Sequence, residues 1–134
     1  MIEEYYHENK GYNPYLIRNG WQVAQLNYVE QHGLDDMNTL EIHHETDEVF
    51  ILFEGIGVLI AADIKGDQIK YELINMKKGV AYNIPAGRWH NIGMNKDAKM
   101  VIVEKSDTHL NDCTLYDLNE SQREDLYRKV KDVL

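Results

Sequence analysis

Short β-forming segments, each closed by a turn, run through most of this 134-residue chain and narrow what it can fold into. Candidate strands are Tyr15–Ile17, Trp21–Val29, Thr39–His43, Val49–Phe53, Val58–Ala62, Ile69–Ile74, Ala81–Ile84 and Met100–Glu104. Between them stand Asn19-Gly20, Gly33, Glu54-Gly55, Lys65-Gly66-Asp67, Lys78-Gly79, Ala86-Gly87 and Asn95-Lys96-Asp97, residues that accept the dihedrals of tight corners. Several short strands with a turn about every 8 to 12 residues argue an all-β sandwich or barrel. Lys70-Tyr71-Glu72-Leu73-Ile74 mixes polar and apolar residues, as a strand with one wet face does. Val49-Phe50-Ile51-Leu52-Phe53 is apolar on both parities. One of its faces can fill a barrel; the other calls for a cover, which a second copy of the chain would supply most simply.

The length suits one domain over residues 1–134. With 14 Lys plus Arg against 23 Asp plus Glu, the formal charge is −9, which disfavours a phosphate-tracking nucleic-acid binder or an anionic-membrane binder. Lone Cys113 excludes an internal disulfide framework and points to a reducing, cytoplasmic setting. The start, Met1-Ile2-Glu3-Glu4, has no apolar run of the signal-peptide kind. The longest nearly apolar stretch, Val49–Ala62, contains Glu54 and two glycines and is too short to cross a bilayer as a helix. The polar, tyrosine-rich tract up to about Asn13 reads as an irregular lead-in.

The tail changes period. Leu126, Tyr127, Val130, Val133 and Leu134 form a helical stripe, and Ser121-Gln122-Arg123-Glu124 has the spacing of a capping box, with Asn119 as the alternative cap. A helix over about 119–133 is expected on the outside of the sheet, packing on the core or contacting a second copy.

Histidines and acids gather in two stretches, Glu41-Ile42-His43-His44-Glu45-Thr46-Asp47-Glu48 and Gly79 to His90. Residues two apart on a strand share a face, so Glu41 and His43 point one way and Ile42 and His44 the other. A divalent cation needs donors from several strands, and imidazole with carboxylate suits Mn, Fe, Ni, Cu or Zn. A His-His pair beside acids is, by itself, more often a solvated turn.

Glu48, six residues, Gly55, followed by Gly79, five residues, Pro85-x-Gly87, two residues, His90, resembles the two signature motifs of the cupin superfamily. His43-His44-Glu45-Thr46-Asp47-Glu48-Val49-Phe50 is similar to a stretch common in small single-domain cupins. The resemblance covers roughly Thr39–Glu104 and implies a double-stranded β-helix, a jelly-roll barrel with its core at about 15–105, followed by the C-terminal helix. It also implies a divalent metal (Mn, Fe, Ni or Zn) held by His43, Glu48 and His90, with Glu41 where the family has its first His. The family's closing Asn falls on Met94. The alternative register makes His44 the ligand and leaves Ile42 in the first position. Ligands Glu41, His43, Glu48 and His90 would make the centre neutral overall, shifting preference toward harder ions such as Mn or Fe(II).

Alternation from Glu48 puts Phe50 and Leu52 inside, and alternation from His90 puts Ile92 inside. Phe50, Tyr82, Arg88 and Trp89 are candidate substrate contacts, with Tyr71 a further candidate for the mouth. Cys113 reads as a plain small residue, and His7, His32 and His109 receive no role. Two functions stay open: a metal-dependent enzyme acting on a small metabolite, or a non-catalytic cupin that binds or senses a small molecule with a degraded or empty metal site. A homodimer is expected in either case.

Overall fold

The computed structural model describes residues 1–134 and contains two five-stranded antiparallel sheets. The strands are β1 (Gly11–Arg18), β2 (Trp21–Asn27), β3 (Thr39–Ile42), β4 (Glu48–Glu54), β5 (Gly57–Lys65), β6 (Gln68–Asn75), β7 (Ala81–Ile84), β8 (Trp89–Met94), β9 (Lys99–Glu104) and β10 (Thr114–Asp117). The first sheet runs β1-β2-β9-β4-β7 and the second β10-β3-β8-β5-β6. This is a jelly-roll barrel with a C-terminal helix. No helix is long and apolar enough to cross a membrane.

Period-two alternation builds the interior. On β4, Phe50 and Leu52 are buried while Val49, Ile51 and Phe53 between them are half-buried on the outer side. Met100 and Ile102 of β9 join Ala24, Leu26, Phe50 and Leu52 in the barrel core, which also takes Leu59, Ile92 and Met94 from the second sheet. At Gly55, where β4 turns into β5, φ is 74° and an added Cβ would lie 2.5 Å from the Ala98 backbone, so only glycine fits this corner.

Three features depart from the sequence reading. The tract before Tyr15 is not all irregular: β1 begins at Gly11, and its register with β2 shifts between Asn13 and Leu16. Pro14 sits in that bulge on an edge strand, where the missing N–H costs no ladder bond. Strand β10 and the short helix α1 (Thr108–Asn111) also lie outside the candidate segments, whereas β8 is the strand that the alternation from His90 implied. The last helix, α2 (Glu120–Val133), is capped by Asn119 rather than Ser121. The Asn119 side chain accepts from Gln122 N at 2.8 Å, and Gln122 Oε1 accepts from Asn119 N at 2.8 Å, the reciprocal pair of a capping box.

The apolar stripe of α2 is used within the chain. Leu126 and Val130 are fully buried against Leu40, Val58, Ile60 and Ala62 on the outer face of the second sheet. The first sheet has no such cover. Val23, Val103 and Val49 lie in register across β2, β9 and β4, followed by Val101 and Ile51, and no helix packs across this face. Leu126→Ala should therefore lower the free energy of unfolding by about 2–5 kcal/mol in a urea titration. Leu134→Ala, in the same stripe but 54 % exposed, should change it by no more than about 0.5 kcal/mol.

Candidate functional site

Four of the acid and imidazole side chains meet at one end of the barrel interior. Glu41 on β3 pairs directly with His90 on β8 in the second sheet, and Glu48 opens β4 in the first. His43 stands just past the end of β3, where the chain crosses between the sheets. One donor atom from each of the four lies within 4.8 Å of all the others. His43 Nε2 is 3.1 Å and His90 Nε2 2.8 Å from Glu48 Oε1; Glu41 Oε1 is 3.8 Å and 3.5 Å from the same two nitrogens. His43, Glu48 and His90 are buried, and Glu41 is half-buried at the rim. His44 is exposed and takes no part.

The second ring nitrogen of each imidazole is already committed. His43 Nδ1 lies 2.5 Å from Asp112 O and His90 Nδ1 3.0 Å from Arg88 O. A carbonyl only accepts, so both Nδ1 atoms carry hydrogen and both Nε2 atoms are turned to the carboxylates. The Asp112 carboxylate accepts from His44 N and Glu45 N, and Asp47 accepts from Ala86 N, tying the loop before β4 to the Pro85-Ala86-Gly87 turn.

Burial disfavours charge on all four groups, yet their mutual hydrogen bonds and charges outweigh it. His43 is raised to about 9, with burial opposing and the bond to Glu48 prevailing. His90 is raised to about 10 by Glu41 and Glu48, again against burial. Glu48 and Glu41 are pulled below the usual carboxylate range by the imidazoles, overcoming their own desolvation. Two imidazolium–carboxylate pairs are neutral overall. A divalent ion with two carboxylates and two neutral imidazoles is neutral as well, so an ion can replace two protons without changing the buried charge.

The donor set fits such an ion. Around a centre with bonds of about 2.1 Å, neighbouring donors are about 3.0 Å apart in octahedral and about 3.4 Å in tetrahedral geometry. The four separations above, from 2.8 to 3.8 Å, bracket those values.

The cluster opens into a cavity of about 430 Å³. Leu26, Phe50, Ile92 and Ile102 give it apolar walls. A second polar group stands beside the first. Tyr12 donates to Glu104 Oε1 at 2.5 Å, and Gln22 Nε2 lies within hydrogen-bonding reach of Tyr12 Oη, Glu104 Oε1 and His109 Nδ1. Glu104 is pushed up to about 7 by burial and by the charge of Glu48, its cross-strand partner. Its Oε2 is buried with no hydrogen-bond partner.

Of the four candidate substrate contacts, only Phe50 lines this cavity. Trp89 precedes His90 and therefore points out of the barrel, where it packs on Tyr116. Tyr82 and Arg88 line a separate, smaller cavity beside β5, β6 and β7. Tyr71 reaches α2 instead, donating to Gln122 O. Conversely, His32 and His109 are on the cavity wall, and Cys113 donates to Glu41 Oε2 at 3.2 Å. Glu104 was legible in principle, since Met100, Ile102 and Glu104 share one parity of their strand. Tyr12, His109 and Cys113 had no local signal, because β1, α1 and β10 reach the site only through folding.

These ionisations predict how the metal-free protein responds to pH. Histidines held above their ordinary 6.5 add stability that is fully present below 6.5 and lost as pH rises through about 9 to 10. Carboxylates held below 4.5 add stability that is present above 4.5 and lost in acid. The melting temperature of chelator-treated protein should fall on going from neutral pH to pH about 10. A flat profile over that range would show that the imidazole–carboxylate bonds carry no folding energy.

No protein-family model and no curated protein matches the sequence. Solved structures do. A cupin-2 domain containing protein from Shewanella frigidimarina is 24 % identical with a TM-score of 0.51, over 75 % of this chain and 84 % of that one. A Bacillus halodurans protein is 22 % identical with a TM-score of 0.56, over 82 % and 80 %. Pac13, a nucleoside dehydratase, is 14 % identical with a TM-score of 0.60, over 86 % and 88 %. At these identities the likeness is one of architecture. The two facing sheets, the Pro-x-Gly turn before His90 and the inward cluster of His and Glu thus belong to a chain with the cupin fold.

Proposed function

We propose that this protein binds a divalent metal ion through Glu41, His43, Glu48 and His90 and acts on a small metabolite held in the adjoining cavity. The observation that supports it is the convergence of four donors, two nitrogens and two oxygens, on one point at the end of a ligand-sized space. A bound ion would polarise a ligand oxygen as a Lewis acid. The chain's own residues orient the donors: Asp112 O and Arg88 O hold the two histidines, and Cys113 holds Glu41. Uridine belongs among the first ligands tried because a Pac13 variant has been solved with it.

A second reading has its own support. All four groups already satisfy one another as imidazolium–carboxylate pairs, so the same cavity can serve as a metal-free pocket that binds a small molecule without turnover. Titrating chelator-treated protein with Mn, Fe(II), Ni and Zn by calorimetry separates the two. The metal reading expects one ion per chain and release of about two protons, seen as a dependence of the heat on buffer ionisation. Glu48→Gln should abolish binding, while Cys113→Ala should weaken it about 10- to 100-fold and Cys113→Ser should restore most of the loss. A folded protein that binds none of the four ions supports the second reading.

We further propose a homodimer formed through the outer face of the first sheet, where Val23, Val103, Val49, Val101 and Ile51 present a half-buried apolar row. The α2 stripe is consumed within the chain and lends this assembly nothing. The free thiol of Cys113 suits a cytoplasmic setting. Sedimentation at micromolar concentration should give twice the chain mass, and Val103→Glu should give the monomer mass with an unchanged far-ultraviolet circular dichroism spectrum. A wild-type monomer would refute this assembly.

A further inference from the structure

Two histidines outside the metal cluster, His32 and His109, stand on the cavity wall, each held from a different sheet. His32 ends a 3-10 turn, Glu30–His32, and a bridge from Gly33 to Met94 lays that loop along β8 of the second sheet. Its Nδ1 is 3.0 Å from Ile92 O. A carbonyl only accepts, so Nδ1 carries hydrogen. Burial holds the ring below its ordinary pKa, outweighing the bond to Ile92 O and the charge of Glu41, so Nε2 keeps a lone pair. His109, on α1, is held from β2 of the first sheet by Gln22. Asp107 N donates to Gln22 Oε1 at 2.9 Å, which settles the orientation of that amide. Gln22 Nε2 is therefore the donor to His109 Nδ1 at 3.0 Å, and the hydrogen of His109 sits on Nε2. Both rings are half-buried, and neither Nε2 atom has a hydrogen-bond partner in the protein. Neither is sealed off: Glu104 Oε2 is the one buried polar side-chain atom without a partner.

We propose that His32 and His109 are ligand contacts of opposite polarity: His32 Nε2 accepts from a hydroxyl or N–H group of the ligand, and His109 Nε2 donates to a ligand carbonyl. The ligand so recognised is a small molecule carrying both an uncharged donor and a carbonyl on an apolar body, which Phe50, Ile92 and Ile102 would face. Each polarity is fixed by the contact at the other ring nitrogen. The opposite tautomer would set a lone pair of His32 against the Ile92 carbonyl, or a hydrogen of His109 against the Gln22 amide. The wall therefore discriminates, because a ligand that offers an acceptor to His32 or a donor to His109 leaves like groups facing each other. This inference rests on the reading of the cavity as a ligand site, but it does not require that an ion be bound.

Imidazole nitrogen NMR of the wild-type chain at pH about 7 reads the tautomers directly, and should find hydrogen on Nδ1 of His32 and on Nε2 of His109. Four probes then test the contacts: phenol against anisole for the donor, and acetophenone against ethylbenzene for the carbonyl. Binding is followed by the methyl NMR shifts of Ile92 and Ile102. Phenol should bind about tenfold tighter than anisole, and acetophenone about tenfold tighter than ethylbenzene. His32→Phe should remove the advantage of phenol and keep that of acetophenone, and His109→Phe should do the reverse. Hydrogen on Nε2 of His32 or on Nδ1 of His109 would overturn the inference, as would advantages that persist in the two variants. The tautomer measurement needs no variant, so it decides even if a substitution unfolds the chain. Failure of all four probes to bind would overturn the cavity reading and this one together. Binding that ignores both histidines would overturn this one alone.

Discussion

Everything distinctive about this barrel depends on one buried carboxylate. Glu48 is 4 % exposed, and a lone ionised carboxylate at that depth would be costly. Its Oε1 is reached by the Nε2 atoms of both His43 and His90, which come from different parts of the fold. That arrangement needs β4 and β8 on opposite sheets at the same height in the barrel, and it needs both imidazoles turned so that Nε2 faces in. The backbone carbonyls of Asp112 and Arg88 enforce the rotation. Charge neutrality then has two solutions, two protons or one divalent ion, and the same geometry serves both.

A second acid, Glu104, sits directly across the strand pair from Glu48. Two inward carboxylates side by side repel, and the fold answers them differently. Glu48 receives imidazoles and is stabilised as the anion. Glu104 receives a phenol and an amide on one oxygen, while the other is buried without a hydrogen-bond partner. Divergent surroundings of this kind assign neighbouring carboxyl groups different chemical tasks.

The outside of the molecule is as asymmetric as the inside. Helix α2 buries Leu126 and Val130 on the second sheet, so that sheet's outer surface is spent within the chain. The first sheet's row of valines has no covering helix. The doubly apolar run of β4 foreshadowed this, because a strand that is apolar on both parities must be covered on both sides or share its outer face.

The period-two runs, the turn residues and the Pro-x-Gly spacing before His90 carried the barrel, the inward direction of Glu41, His43, Glu48 and Phe50, and the C-terminal helix. These are local properties: alternation, corner dihedrals and helical periodicity are written into neighbouring residues and need no knowledge of the rest of the chain. The sequence alone did not place Tyr12, His32, His109 and Cys113 on the cavity, nor remove Tyr82, Arg88 and Trp89 from it. Those outcomes depend on which strands become neighbours and at what height they pair. Such contacts join residues about ninety positions apart, as Tyr12 and Glu104 do, and only the closed barrel creates them.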